Sequence, residues 1–440
     1  MSRTHFRFLT AAAAALFFLL ASIPGFSDSQ VRIVRLSYIE GGVQIDRGSG
    51  YEKAITNLPV AHGAKVRAAD DGRAEIEFED GSTVRITPKT EVRFPQLSLR
   101  DSGGKESVTE VLNGTAYIDY AGAKNDEFTV VFGQEKIVLS HAAHFRIGAE
   151  DASASVAVFK GDLQITGPSG NIEVKKNQTA SFDLTANDQY KLAKNIDQLA
   201  YDSWDKQQSE YHVRYASNSY NSYSPYAYGT TDLAYYGNFF NAPGYGMMWQ
   251  PYFVGAGWDP FMDGAWAFSP AFGYGWVSAY PWGWTPYHYG TWVFLPGYGW
   301  AWQPGGIWMP WYAQPLVVNA TKGFGVPQPP TNGNRTLIVN RSPLSAPSMQ
   351  SGSKVVIRNN SAGLGVRRGE INNLAKVSHQ VETRGVATQR VQPPAAMQSE
   401  ASARSQSRIG PTSERSQGMS RPSPPPTSRS APPPAAPPHR

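Results

Sequence analysis

Gly264-Ala265-Trp266-Ala267-Phe268-Ser269-Pro270 returns as Gly290-Thr291-Trp292-Val293-Phe294-Leu295-Pro296, and Gly237-Asn238-Phe239-Phe240-Asn241-Ala242-Pro243 stands one period upstream of both. After each proline the same turn is read: Gly244-Tyr245-Gly246, Gly273-Tyr274-Gly275 and Gly297-Tyr298-Gly299. A period of roughly 26 residues marks a supersecondary unit that hides its apolar face by stacking on its neighbours. All 12 tryptophans of the chain lie between Trp204 and Trp311, so this stretch is a module of its own.

Each unit reads as a hairpin. Trp266 and Phe268 share a face because side chains two apart on a strand do so. Pro270 closes the strand, Phe272 to Gly275 turn the chain, and Trp276 starts the return. Gly257-Trp258-Asp259-Pro260-Phe261 recurs as Gly283-Trp284-Thr285-Pro286-Tyr287, and Trp249-Gln250-Pro251 recurs 53 residues on as Trp302-Gln303-Pro304. Three hairpins give about six strands, enough for a small sheet, roll or partial barrel with an aromatic core. The run Trp282-Gly283-Trp284-Thr285-Pro286-Tyr287-His288-Tyr289-Gly290-Thr291-Trp292 resembles an uncharacterised aromatic-repeat domain found behind FecR-like domains in exported bacterial proteins, a likeness covering residues 201–318.

From residue 31 to 184 the grammar is that of short strands. Ala74-Glu75-Ile76-Glu77-Phe78 alternates, Asp80-Gly81 turns, and Thr83-Val84-Arg85-Ile86 resumes, which predicts two half-buried strands across a tight turn. Glu77 and Glu79 then fall on a solvated face. Many such strands with glycine-marked turns predict a mainly β chain that opens with an antiparallel β-sandwich or roll. The order Gly42-Val43, His62-Gly63-Ala64-Lys65-Val66, Ala74 to Ser82, Leu112-Asn113-Gly114-Thr115-Ala116-Tyr117 and Val156 to Leu163 resembles the FecR domain. That resemblance implies an exported β-domain of the kind that couples an outer-membrane transporter to a sigma factor. Two features depart from it. His141-Ala142-Ala143-His144-Phe145 stands where the family shows Gly-Thr, and only about seven residues precede the apolar run that a transmembrane regulator would use. The likeness therefore implies the fold and the exported location rather than sigma-factor control.

Residues 1–27 read as a signal peptide: Arg3 and Arg7, an apolar run from Leu9 to Ile23, then Gly25-Phe26-Ser27 as a cleavage site. Retention as an uncleaved anchor is the alternative, although the run is short of the roughly 20 apolar residues a bilayer needs. The chain contains no cysteine, which excludes lipoprotein anchoring and disulfide staples. Residues 187–231 read as a helix, capped by Asn187 or Asp188 with Leu192, Ile196 and Leu199 inward, and then a linker between domains. The aromatic domain follows at 232–318. Residues 319–380 form a weakly ordered extension in which 336–339 and 354–357 are two strands. Residues 381–440, with eight arginines against three glutamates, form a disordered Pro/Ser/Arg-rich tail. The formal charge of +5 is thus concentrated at the ends, and no basic patch marks a nucleic-acid site.

No constellation points to catalysis, a metal or a cofactor. His141 and His144 are the one close histidine pair, and three apart on a strand they face opposite ways. The rings of the module allow two readings: stacking on a sugar, or forming the core of a thin sheet, the usual fate of large aromatics. Trp258, Trp284, Tyr287 and His288 are the candidates for outward-facing rings that bind a glycan. The function these features indicate is that of a non-enzymatic exported protein of the periplasm or cell envelope. It would act as a binding or scaffolding module, with peptidoglycan or another polysaccharide as ligand. The alternative is a membrane-anchored FecR-like sensor contacting an envelope protein partner.

Overall fold

The computed structural model describes residue 32 and residues 34–391, apart from 186–188, 217–228, 271–272, 307, 311, 334, 341–349 and 352–353. The apolar N-terminal run and the tail beyond 391 lie outside the described residues. No described helix is long and apolar enough to cross a membrane.

Two sheets make the N-terminal sandwich. The first runs, in spatial order, Pro59–Val60, Val34–Glu40, Arg73–Glu77, Thr83–Ile86, the C-terminal half of Lys105–Tyr120, Ala143–Ala149, Ser153–Lys160, Thr179–Asp183 and Gln189–Ala193. The second runs Tyr51–Lys53, Val43–Asp46, Lys65–Ala68, Glu91–Leu99, the N-terminal half of Lys105–Tyr120, Glu127–Phe132, Glu135–Leu139, Asp162–Gly167 and Gly170–Lys175. All pairings are antiparallel except that of Lys105–Tyr120 with Glu127–Phe132. The 16-residue strand serves both sheets and changes from one to the other at Gly114, whose φ of +83° admits no side chain without strain. Between the sheets lies one aliphatic core, with Leu36, Ile76, Val84, Phe94, Ile118, Phe145, Val156 and Ile165 all fully buried. The sandwich is therefore the mainly β fold that the alternation predicts.

The helix predicted from residue 187 is displaced. Gln189–Ala193 is instead an edge strand beside Thr179–Asp183, and the helix spans Asp202–Tyr215. Leu192, Ile196 and Leu199 imitate helical spacing, but an available strand edge decides the conformation of the first of them. Nor is the helix a spacer. Trp204, Asp205, Gln208 and Tyr211 bury one face against the outside of the first sheet, with Trp204 against Tyr38 and Arg73.

The three hairpins form as the repeat predicts: Gly237–Ala242 with Gly246–Pro251, Asp263–Ser269 with Gly273–Ser278, and Thr291–Leu295 with Gly299–Gln303. The turn of the second differs from the alignment read in the sequence. Its return strand starts at Gly273, so Gly273 corresponds to Gly246 and Gly299, and Tyr274 lies in the strand opposite Phe268. The register is the same in all three, pairing Phe239 with Trp249, Trp266 with Trp276 and Trp292 with Trp302. It also explains the glycine that opens each unit. A Cβ on Gly237, Gly264 or Gly290 would come within 2.5, 2.3 and 2.5 Å of the indoles of Trp249, Trp276 and Trp302, respectively. Each glycine is the hollow into which the return tryptophan lies.

Hairpins one and three join at Trp249 and Trp302 into a five-stranded sheet completed by Leu316–Val318. The Trp-Gln-Pro pair acts as a reciprocal clasp. Gln250 Nε2 donates to the carbonyls of Tyr298 and Trp300 (2.8 and 2.9 Å), and Gln303 Nε2 donates to that of Tyr245 (2.8 Å), so each glutamine holds the turn of the other hairpin. Hairpin two carries Val277 at that position because its outer face meets the sandwich. Ala267 and Val277 belong to the sandwich core cluster.

Beyond 318 the chain is more ordered than its composition predicts. Leu337–Asn340 extends hairpin two. Gln350–Ser351, Lys354–Arg358 and Val386–Arg390 make a small sheet backed by the helix Leu374–Arg384. Val355, Ile357, Leu374, Val377 and Val381 join the aromatic core, so packed structure continues past residue 381.

Candidate functional site

Alternation along the first sheet sends Leu36, Ile76 and Val84 inward and Arg35, Ser37, Glu75, Glu77 and Arg85 outward. The register sets Arg35 opposite Glu77 and Glu75 opposite Arg85. An outward row of charges on an antiparallel sheet ordinarily meets water. Here other segments of the chain close over it: Asp205, Tyr211 and His212 from the helix Asp202–Tyr215, Asp232 from the helix Thr230–Tyr236, and Arg368 from the loop before Leu374.

The contacts are dense. Arg35 Nη2 donates to Glu77 Oε2 (2.6 Å) and Asp232 Oδ2 (2.9 Å). Arg368 Nη1 donates to Glu75 Oε1 (2.5 Å), and its Nη2 donates to Asp232 Oδ2 and the Ser37 carbonyl (both 2.9 Å). Arg85 joins Glu75 (2.8 Å) to Asp205 (2.7 Å). At the rim, His212 Nε2 meets Glu75 at 3.0 Å, while His144 Nε2 lies 2.7 Å from Asp205 Oδ2 without hydrogen-bond alignment. Asn57 accepts from Arg35 and donates to the carbonyls of Ser278 and Tyr280, tying hairpin two to the same cluster.

Burial alone would push the Glu75 carboxyl up, yet His212, Arg368 and Arg85 hold it well below the usual carboxylate range. Asp232, against the same desolvation, is held down by Arg368 and Arg35, and Asp205 by Arg85 and His144. Burial raises the Tyr211 hydroxyl, and the Asp232 carboxylate to which it donates raises it further. Each of the four carboxylates, Glu75, Glu77, Asp205 and Asp232, lies in an ion pair with a buried arginine. The cluster fixes four segments against one another.

This overturns the expectation of a solvated acidic face. Glu77 is 2% exposed, and Glu79, 8% exposed, pairs with Arg32 at 2.8 Å. Alternation shows that a residue points away from the core, but not what covers it.

The four candidate ring residues are corrected likewise. Trp258, Trp284, Tyr287 and His288 are 3%, 1%, 1% and 4% exposed and offer no face to a sugar. Trp258 Nε1 donates to Tyr280 Oη (3.0 Å), and Tyr287 Oη donates to the Pro260 carbonyl. Trp284 lies between Arg35 and His288, at ring-centre distances of 5.8 and 4.3 Å. Burial and the nearby Arg35 charge push the His288 pKa down to about 3, so this ring is neutral. The reason is the repeat itself: the bridges between hairpins must enter the shared core to hold the units together. His141 is exposed beside Ser140, and no group of three metal-binding side chains occurs among the described residues.

Two features lie at the surface instead. The outer face of the five-stranded sheet carries the exposed turn residue Tyr298, stacked on Phe240 at 5.4 Å and 17°. The strand Gln189–Ala193 is exposed along its whole length, with Thr179–Asp183 as its one paired neighbour among the described residues.

Residues 64–164 match the family described as FecR protein. This part of the sandwich is a FecR domain. Residues 230–331 match a family of unknown function, DUF6600, and span the three hairpins and the strand Leu316–Val318. No curated protein matches the chain. Two crystal structures of "a putative anti-sigma factor" from Parabacteroides distasonis are similar, at 18% and 19% identity and a TM-score of 0.28 for each. The likeness covers 32% of this chain and 63% of theirs, so the chain spans less than two thirds of those proteins' length. The strands before residue 64 and after 164 complete the two sheets around the FecR domain, and the charged cluster sits on that domain's outer face.

Proposed function

We propose that this chain is an exported, non-enzymatic regulatory protein of the cell envelope that works by docking another envelope protein on its FecR domain, with the DUF6600 region as a rigid support. The observation that carries this reading is the covered outer face of the first sheet. Its charges are consumed by the chain's own helices and by Arg368, so the domain meets a partner at its free edge or on the second sheet. The carboxylates of the cluster are ion-paired and the buried His288 nearby is neutral, in keeping with a binding role. Site-specific photo-crosslinking in intact cells tests it. A photoreactive residue at Lys191 or Val138 should yield one discrete adduct with an envelope protein, and a smear or no adduct at either would sink the reading. Sequencing the N-terminus of the purified protein decides between export and anchoring, since export with cleavage leaves Asp28 first.

A second reading, glycan binding, is favoured by one feature only, the exposed ring of Tyr298 stacked on the half-buried Phe240, which packs on the same small apolar cluster as Tyr245. Retention on purified cell wall should then fall for Tyr298→Ala and stay unchanged for Trp284→Phe. Equal retention of wild type and Tyr298→Ala removes this reading.

A further inference from the structure

The last strand of the first sheet overhangs the sandwich. Its register sets Leu192 opposite Ala180 and Tyr190 opposite Phe182, and both of those neighbours face the core. Tyr190 and Leu192 therefore continue the core face of the sheet, yet each is 44% exposed. On its other side the strand presents a row of backbone groups with no partner strand among the described residues. The other sheet ends differ. Pro59–Val60 is two residues long and buried, Tyr51–Lys53 is three residues long, and Gly170–Lys175 keeps its apolar Ile172 and Val174 covered.

A second copy of the chain is a poor occupant. Antiparallel self-pairing about a two-fold axis keeps residues on their own face, so the register that overlaps all five residues sets Tyr190 against Leu192 and Lys191 against Lys191. Like charges directly opposite destabilise a strand pair, and an edge lysine is a common guard against self-association. The same lysine favours a strand with a carboxylate opposite it, and Lys194 adds to the local positive charge.

We infer that Gln189–Ala193 is a docking edge for an extended strand of a partner protein, one that places an acidic residue opposite Lys191 and apolar residues over Tyr190 and Leu192. Backbone hydrogen bonds supply the attachment and the charge supplies the choice of partner. The inference rests on the docking reading above and names its surface.

The test uses the full chain and two short labelled peptides that alternate valine with polar residues, one with glutamate at its centre and one with lysine. Fluorescence anisotropy should show the glutamate peptide binding at least about fivefold more tightly. Lys191→Glu should invert that preference, and Leu192→Arg should abolish binding of both. Val213→Arg, on the exposed side of the helix Asp202–Tyr215, should change neither. Amides 189–193 should gain hydrogen-exchange protection on binding. Peptides that bind equally, or not at all, overturn the inference. So does a Lys191→Val protein that only self-associates, which would make the lysine a guard and nothing more. Because unfolding midpoints of each variant are measured alongside, loss of fold is recognised. A photo-crosslinked adduct that survives Leu192→Arg would remove this edge while leaving the docking reading intact.

Discussion

The sandwich and the hairpin module both pack two-stranded ribbons without a disulfide, but they do so with different materials. The sandwich spreads its core over many aliphatic side chains between two large sheets, and its strands differ freely from one another. The module has short strands and few aliphatic residues, so it concentrates burial in a few rings. Trp249, Trp266, Trp282, Trp292 and Trp302 are each at most 1% exposed. A buried tryptophan removes on the order of 200 Å² from water, about 5 kcal/mol at ~25 cal/mol per Å². That concentration has a consequence. Large rigid rings tolerate little variation around them, so the sequence repeats where the rings repeat, down to the glycine beneath each one.

The sharpest way to break this comparison is to remove the charge that binds the two parts. Arg368 lies in the segment that closes the aromatic core, and it reaches Glu75 on the sandwich and Asp232 on the connecting helix. Arg368→Met leaves two buried carboxylates each short of a cation, a change that costs about 3–5 kcal/mol. Urea unfolding followed by tryptophan fluorescence, which reports the module, should shift to lower denaturant. Hydrogen exchange of the sandwich strands distant from the cluster should stay unchanged. A single transition moving as one would show that the sandwich depends on the module as much as the module depends on it.

Within the module, Gly264→Ala places a Cβ against the Trp276 ring and the Val277 carbonyl, 2.3 and 2.7 Å away. Overpacking of this kind costs about 1–3 kcal/mol. Gly257→Ala, with nothing within 4 Å of the added atom, is the matched control and should fall within about 0.5 kcal/mol of wild type. Equal effects would mean that the repeated glycine is a relic of duplication rather than a seat for the ring.

Acid should separate the two parts as well. His288 binds its proton less readily when folded, at about 3 against 6.5 for the free side chain, so the unfolded chain takes up more protons and stability falls as pH drops below 6.5. Between pH 6.5 and 5 the loss is about 2 kcal/mol. The depressed carboxylates Glu75, Asp205 and Asp232 act in the same direction but lower. Their stabilisation is present above the ordinary carboxylate pKa and is lost as pH falls below it toward their folded values. His288→Phe should flatten the upper window and leave the lower one. A slope that persists between pH 6.5 and 5 would place the titrating group elsewhere.

Much of the fold was legible because punctuation survives without packing. Asp80-Gly81 turned where glycine allowed it, and the proline after each aromatic strand marked a hairpin. What failed were inferences about the far side of an element. Glu77 and Glu79 alternate like solvent-facing residues, but segments distant in sequence cover them: Gly229 and Asp232 pack over Glu77 and its partner Arg35. Trp258 and Trp284 sit beside prolines like surface loops, yet those loops are drawn into the shared core. The helix Leu374–Arg384 did carry its signals: Asn373 accepts from the Lys376 amide at its start, Gly385 ends it at φ +78°, and Leu374, Val377 and Val381 lie on one face. In the sequence they stand next to a stretch rich in proline, serine and arginine, whose composition masks them.

The smallest effect expected tests whether the repeat is also a joint. Gln250 donates to one carbonyl in the turn and one in the return strand of hairpin three, and Gln303 returns the contact to hairpin one, whereas the equivalent Val277 faces the sandwich. Gln250→Ala removes hydrogen bonds that are partly open to water, so the cost should be about 1 kcal/mol. Its mark should be local: amides of residues 296–300 should exchange faster, and the Tyr298 ring should lose its fixed stacking on Phe240 in NMR spectra. Gln250→Ala and Gln303→Ala together should cost more than their sum if each clasp holds the other in place, since coupled sites depart from additivity. Strict additivity would mean that the Trp249–Trp302 contact alone sets how the two hairpins meet, and that the glutamines merely satisfy carbonyls the turns leave open.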